Sequence, residues 1–436
     1  MAGSLAGAAG PSSGLGEFRR GWRVVLGAGL GAGLGIAGLL NYNMGLFAEG
    51  LARDIGLSRT GYGVAFFGTT LAMAAAMPAV GRAVDRFGAR ATAACGALAL
   101  AIGFAALSRV GSVAAYGAVM VLMGLIAAAS APVPHTRAVA GSFARARGLA
   151  LGLTQVGIGL SAAVVPPIVA VQVAHHGWRA GLLFLAALAG VAVVPVLLGL
   201  PGRLAKPAET ARDDSEAYRD VRASRPYRLQ LAAFTTMAFA FAGLLSHFVP
   251  LLREAGVPVE RAGALAGMIG ASVIVTRVVV GWLADRIEPA WLGAASCLAC
   301  AAGCLTLAFG GSAFAPIAAL ALGAAMGAEA DLLGILTARN FPMAAYSRAY
   351  ALQYAAFGVA GGLSPVWIGY LADVTGGYEA ALFVSASGLL VPLVLFCMLP
   401  RTDPARLRGL RTDRYRAAPI RPATERCVTI APSTAP

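Results

Sequence analysis

Apolar blocks of about 20 residues recur between Trp22 and Leu399 and leave this chain few folds to adopt. That length is what a helix needs to cross a ~30 Å hydrocarbon layer. Such a layer holds no water to satisfy backbone N–H and C=O groups, so closed helices are the natural solution. Of 436 residues, 58% are hydrophobic and only 12% charged, about half the charged fraction of a soluble domain. The reading is an all-α, multi-pass protein of the cell membrane.

Twelve spans are expected, at 22–47, 60–81, 91–108, 112–134, 148–174, 179–199, 228–251, 260–283, 291–309, 313–337, 348–372 and 378–399. One long polar connection interrupts them. This gives a leader (1–21), an N-terminal six-helix bundle (22–200), a linker (201–227), a C-terminal six-helix bundle (228–399) and an Arg/Pro-rich tail (400–436) with a disordered composition. The leader has no early apolar core, so the first span is expected to act as an uncleaved anchor. With the N-terminus inside, Arg19, Arg20, Arg23, Arg82, Arg86, Arg90, Arg137, Arg145, Arg147, Arg286, Arg339 and Arg348 fall in cytoplasmic segments. Only Arg53, Arg59, Arg109, Arg179, Arg253 and Arg261 fall outside. That bias places both termini in the cytoplasm. It also accounts for the net charge of +14 without nucleic acid, for which no basic segment interleaved with aromatics is present.

The halves repeat. Gly81, Asp85 and Arg86 recur at Gly281, Asp285 and Arg286, and Arg147, Ala150, Leu151 and Gly157 recur at Arg348, Ala351, Leu352 and Gly358. Gly177, Ala180 and Leu182 recur at Gly377, Ala380 and Leu382. Parallel duplicated halves with a site between them are a transporter design. The run Gly81-x-x-x-Asp85-Arg86-x-Gly88-x-Arg90 resembles the loop signature of the major facilitator superfamily. The stretches GLFAEGLARDIGLSRTGYG, SFARARGLALGLTQVGIGL and SHFVPLLREAGV resemble its monocarboxylate and oxalate–formate transporter branch. The resemblance implies two pseudo-symmetric bundles of six transmembrane helices. It also implies a cytoplasmic latch at Gly81, Asp85, Arg86, Gly88 and Arg90. In the second copy, at Gly281, Asp285 and Arg286, Glu288 and Pro289 replace the glycine and its successor, and the latch is expected to be degraded.

Charges within spans mark candidate chemistry. Arg277, four residues before Gly281, costs about 3 kcal/mol to insert unless it snorkels to the interface. Its planar fork suits a carboxylate, and the resemblance implies a substrate-binding role at this Arg-x-x-x-Gly position. The resemblance to the monocarboxylate carriers implies an Asp four residues earlier, where this chain departs with Val273. Glu329 or Asp331 is the substitute expected to carry proton coupling, the choice between them left open; two residues apart, they point about 200° from each other and share no face. Asn41, Tyr42, Asn43, Gln155, His247, Gln353 and Tyr354 are the further expected substrate contacts. Thr154 and His135 are weaker candidates, and His175 and His176 read as exposed outer-loop residues.

Other features point away from chemistry. GLGIAG (33–38) fits a dinucleotide pattern but has no strand before it; Gly29 with Gly33 and Gly31 with Gly35 read as helix-packing pairs. Cys297, Cys300 and Cys304 share a helix face without a fourth ligand. Pro132, Pro134, Pro166, Pro167 and Pro365 are expected kinks. The single lysine, Lys206, lies in no nucleotide-binding loop, and no catalytic set or cofactor motif appears, so no enzyme is expected. The expected function is proton-coupled alternating-access transport of a small organic anion, a carboxylate. Efflux of drugs or metabolites on the same fold is the alternative. The expected partners are that anion, protons and membrane lipids.

Overall fold

The computed structural model describes residues 14–57, 59–202 and 209–400, and no strand occurs among them. The first half runs α1 (Gly14–Gly33), α2 (Ile36–Asn43), α3 (Ala48–Ile55), α4 (Arg59–Phe87), α5 (Ala89–Leu107), α6 (Val113–Ile126), α7 (Pro132–Ser142), α8 (Arg147–Val191) and α9 (Val193–Gly199). A polar helix α10 (Glu209–Ala223) leads into α11 (Arg225–Phe241), α12 (Leu244–Glu254), α13 (Val259–Ala284), α14 (Pro289–Gly310) and α15 (Ala315–Asn340). The chain closes with α16 (Tyr346–Thr375), α17 (Glu379–Gly388) and α18 (Leu390–Cys397).

Ten stretches of the described residues are long and apolar enough to cross a membrane, and two of them, Arg147–Gly199 and Pro289–Asn340, have double length at 53 and 52 residues. Each double stretch reverses at a glycine with positive φ, Gly177 at +82° and Gly311 at +64°, a conformation that costs glycine little. Twelve crossings in two six-helix bundles result. The described residues up to Leu399 form one compact unit. The tail beyond Pro400 and the first 13 residues of the leader lie outside the described residues.

Two departures from the sequence reading concern the ends of the first bundle. Helix α1 already begins at Gly14, ahead of the expected first span. The linker carries α10, whose Val221 packs with Tyr227, Phe341, Ala345 and Ala349. Its helicity depends on apolar partners far away in sequence, which composition alone does not display.

Small residues set the helix spacing. A Cβ on Gly33 or Gly157 would collide with the facing backbone of Gly157 or Gly29, so the GLGIAG run is a packing surface between α1 and α8. The first and fourth spans are also broken, at Leu34–Gly35 and at Ala127–Ala131. There the Ile36 N–H donates to Ser130 Oγ at 3.0 Å. The break between α11 and α12 is closed alike, the Gly243 N–H donating to Ser364 Oγ at 2.8 Å. Broken helices are tolerated at membrane depth only when such hydroxyls take up the freed backbone groups. Pro132 starts α7, whereas Pro166, Pro167 and Pro365 lie within α8 and α16.

Candidate functional site at the seam between the bundles

Arg277 and Asp331 meet because glycines let their helices touch. A Cβ on Gly323 would lie 2.5 Å from the Ile269 carbonyl oxygen, and one on Gly327 would lie 2.7 Å from that of Val273. Residues 323, 327 and 331 of α15 thus stand rung by rung against 269, 273 and 277 of α13, one helical turn per rung. At the third rung Arg277 Nη1 donates to Asp331 Oδ1 at 2.7 Å, with side chains 9% and 0% exposed. The acid absent at Val273 is supplied by the neighbouring helix. Arg277 Nε and Asp331 Oδ2 have no protein hydrogen-bond partner, nor has Oε1 of the buried Glu329.

The pair lies at the seam between the bundles. A Cβ on Gly152 of α8 would sit 2.5 Å from the Arg277 carbonyl oxygen, so the N-terminal bundle packs directly on the backbone that carries the guanidinium. Gln155, buried with Oε1 unpartnered, is one turn along the same helix. Tyr354 is within electrostatic range of both Tyr42 and Arg277, and Tyr350 within range of Asp331. Asn41 and Tyr42 are exposed, whereas Asn43 is buried and donates to the Leu39 carbonyl at 2.9 Å.

Other expected contacts have partners elsewhere. Gln353 accepts from Gln230 Nε2 at 3.0 Å and donates to Thr337 Oγ1 at 3.3 Å, inside the C-terminal bundle. His247 bonds Tyr378 Oη through Nδ1 and the Pro365 carbonyl through Nε2, both at 3.0 Å. Thr154 turns back to the Ala150 carbonyl and His135 is buried. His175 and His176 are exposed immediately before the reversal at Gly177, at the expected outer turn. Cys297, Cys300 and Cys304 are buried, and no group of metal-binding side chains occurs among the described residues. The sequence reading missed the stack Tyr346–Tyr350–Tyr354, with ring centroids 5.6 and 6.0 Å apart. Its i, i+4 tyrosine spacing was the available signal.

The duplicated loops both reach across the seam. Gly81 lets α4 approach α16, a Cβ there lying 2.9 Å from the Ser347 carbonyl oxygen, and Gly88 makes the turn at φ +87°. Asp85 Oδ2 accepts from Arg348 Nε at 3.0 Å; Arg348 also donates to Ser215 Oγ of α10 at 3.0 Å. In the second copy Asp285 accepts from the Gly148 and Leu149 N–H groups at 2.7 and 3.0 Å, at the start of α8. The second loop therefore retains a cross-bundle contact, contrary to the expected degradation. Glu288 and Pro289 change only the turn, in which extended Glu288 precedes Pro289 at the first position of α14. Arg147 adds a bond to the Ala338 carbonyl at 3.1 Å. Arg86 and Arg286 lie over the rings of Phe87 and Trp282, and Arg90 donates to the Leu200 carbonyl within its own bundle.

Residues 30–333 match the sequence profile of the Major Facilitator Superfamily. Monocarboxylate transporter 13 of Bos taurus is 27% identical over 399 residues, 87% of this chain and 89% of its own length. A gallate transporter of Pseudomonas putida is 27% identical over 285 residues, 56% of this chain and 62% of its own. The crystal structure of FucP in the outward conformation superposes with a TM-score of 0.71 at 15% identity, covering 87% of this chain and 99% of that one. The last is a likeness of fold alone.

Proposed function

Because this chain belongs to the major facilitator superfamily, we propose that it carries a small carboxylate together with a proton across the cell membrane by alternating access. The observation that carries this reading is the Arg277–Asp331 pair under the seam of the bundles. An arriving monoanion would set two negative charges against one guanidinium in a poorly solvated place. Removing one partner of a buried pair costs about 3–5 kcal/mol. A proton on Asp331 restores neutrality and frees the Arg277 fork for the carboxylate, so anion and proton travel together. Tyr42, Tyr354 and Gln155 supply the polar surroundings. The relatives bearing the names monocarboxylate and gallate transporter support the substrate class.

The same reading gives the loops a role. Asp85–Arg348 and Asp285 with the α8 N-terminus hold one face shut. With both termini cytoplasmic, as the arginine bias implies, that face is the inner one and the chamber opens outward.

The test is uptake into proteoliposomes, with gallate and lactate as probes. An inward proton gradient is expected to drive accumulation, and Arg277→Ala to abolish it. Asp331→Asn is expected to keep carboxylate exchange while losing accumulation driven by the gradient. Carboxylate uptake by Arg277→Ala at the wild-type rate would overturn the assignment. Transport of amphipathic drugs in its place would favour efflux.

A further inference from the structure

A groove of about 520 Å³ runs along the outer side of the seam. Leu352, Ala356, Val359 and Leu363 of α16 form its floor, with Thr235 and Phe239 of α11 on one wall and Ala74 of α4 on the other. These floor residues stand about 140–200° around α16 from Tyr354. The groove therefore lies on the opposite side of α16 from Tyr354. Its lining is apolar apart from two threonines: the Thr236 hydroxyl is turned back onto the Ala232 carbonyl at 2.7 Å, and the Thr235 hydroxyl is buried beneath the surface without a hydrogen-bond partner.

Depth and charge narrow the occupant. From Leu352 to Leu363 the floor is about 17 Å long, close to the hydrocarbon depth of one leaflet. Its far end is shut where Trp367 Nε1 donates to the Phe239 carbonyl at 2.9 Å. At the near end the same helix stripes turn basic. Arg228 lies two turns below Thr235, and Arg225 three turns below Thr236, both exposed. The α11 sequence contains no acid, and Arg82 is exposed at the corresponding end of α4. Glu216 pairs with Arg219 on α10 at 3.8 Å, and Asp85 with Arg348. Among the described residues neither Arg225 nor Arg228 forms an ion pair, and Asp220 of α10 forms none either, so both guanidinium groups are presented at the near end of the groove.

We propose that this groove binds an anionic phospholipid, one acyl chain lying on α16 and the phosphate held by Arg225 and Arg228. Because its walls come from both bundles, the lipid spans the seam and favours the arrangement in which α4 and α16 are together. The binding claim does not depend on what the protein carries.

Native mass spectrometry of the full chain in detergent, titrated with phosphatidylglycerol or phosphatidylcholine, tests it. Phosphatidylglycerol is expected to bind in preference, and the double variant Arg225→Ala/Arg228→Ala to weaken it roughly 30-fold. The double lysine variant is expected to retain most of the affinity. Ala356→Leu, which fills the floor, is expected to lower binding of phosphatidylglycerol while leaving Arg225 and Arg228 in place. Equal binding of the two lipids, or binding indifferent to both the arginine and the floor variants, would overturn the site and leave only annular lipid.

Discussion

The two loops that repeat at a spacing of 200 residues solve the same problem by different chemistry. Asp85 is held against a guanidinium, with its side chain only 9% exposed and that of Arg348 20% exposed. Asp285, exposed along one edge and covered by α8 on the other, caps the start of α8 through two backbone N–H groups, where the helix dipole also favours an anion. The first contact needs a charge on each partner. The second needs only an acceptor of the right shape, because its donors belong to the backbone. Pseudo-symmetry has preserved the place of the contact and not its kind.

The largest effect is expected from parting the helices beneath the second contact. Gly152→Val places atoms against the Arg277 carbonyl, and backbone cannot yield. At about 3 kcal/mol of overpacking, the closed face should lose on the order of 100-fold in population. Labelling of a cysteine introduced at that face, in protein that remains inserted, would read this out.

Arg348→Ala should come next. It strands a shielded Asp85 at a cost of about 2–3 kcal/mol, and Asp85→Asn on the same background should recover part of the loss in a double-mutant cycle. Full additivity of the two changes would mean that the pair is not coupled.

Asp285→Ala should cost about 1–2 kcal/mol, the usual value of a lost helix cap, whereas Asp285→Asn keeps an acceptor and should cost far less. A severe Asn phenotype there, equal to that of Asp85→Asn, would erase the distinction between the copies.

The smallest effect is in pH. Burial against α8 pushes the Asp285 carboxyl above its usual range, while the Leu149 and Gly148 N–H groups draw it back; its open rim keeps the shift modest. A carboxyl raised in the closed form favours closure when protonated. The closed face should therefore gain slightly on acidification and lose that gain as pH rises through the raised value. Asp285→Asn should flatten this part of the labelling profile.

Span length made the twelve crossings legible, and the duplicated loops made the bundles legible. Arg277, Glu329 and Asp331 were also visible as charges where charges are costly. Their pairing was not, because it depends on the register of α13 against α15, set by Gly323 and Gly327. The 200° separation of the two acids showed that they could not share one partner face, and left open which of them Arg277 would meet. Gln353 and His247 were named for their polarity, yet Gln230, Thr337, Tyr378 and Pro365 occupy them. Ser130 and Ser364 escaped notice because a hydroxyl matters there only once the adjoining helix has broken.

The glycine contact of α8 with α13 has a kinetic consequence. Where Gly148 and Gly281 face each other, a Cβ on either would lie 2.5 or 2.8 Å from the other's carbonyl oxygen. Surfaces without side chains have no rotamers to reset and no knobs to withdraw from holes. Motion along such a track meets little ruggedness, so on the proposed alternating-access reading the pace of switching would be set by the two aspartate contacts at its rim.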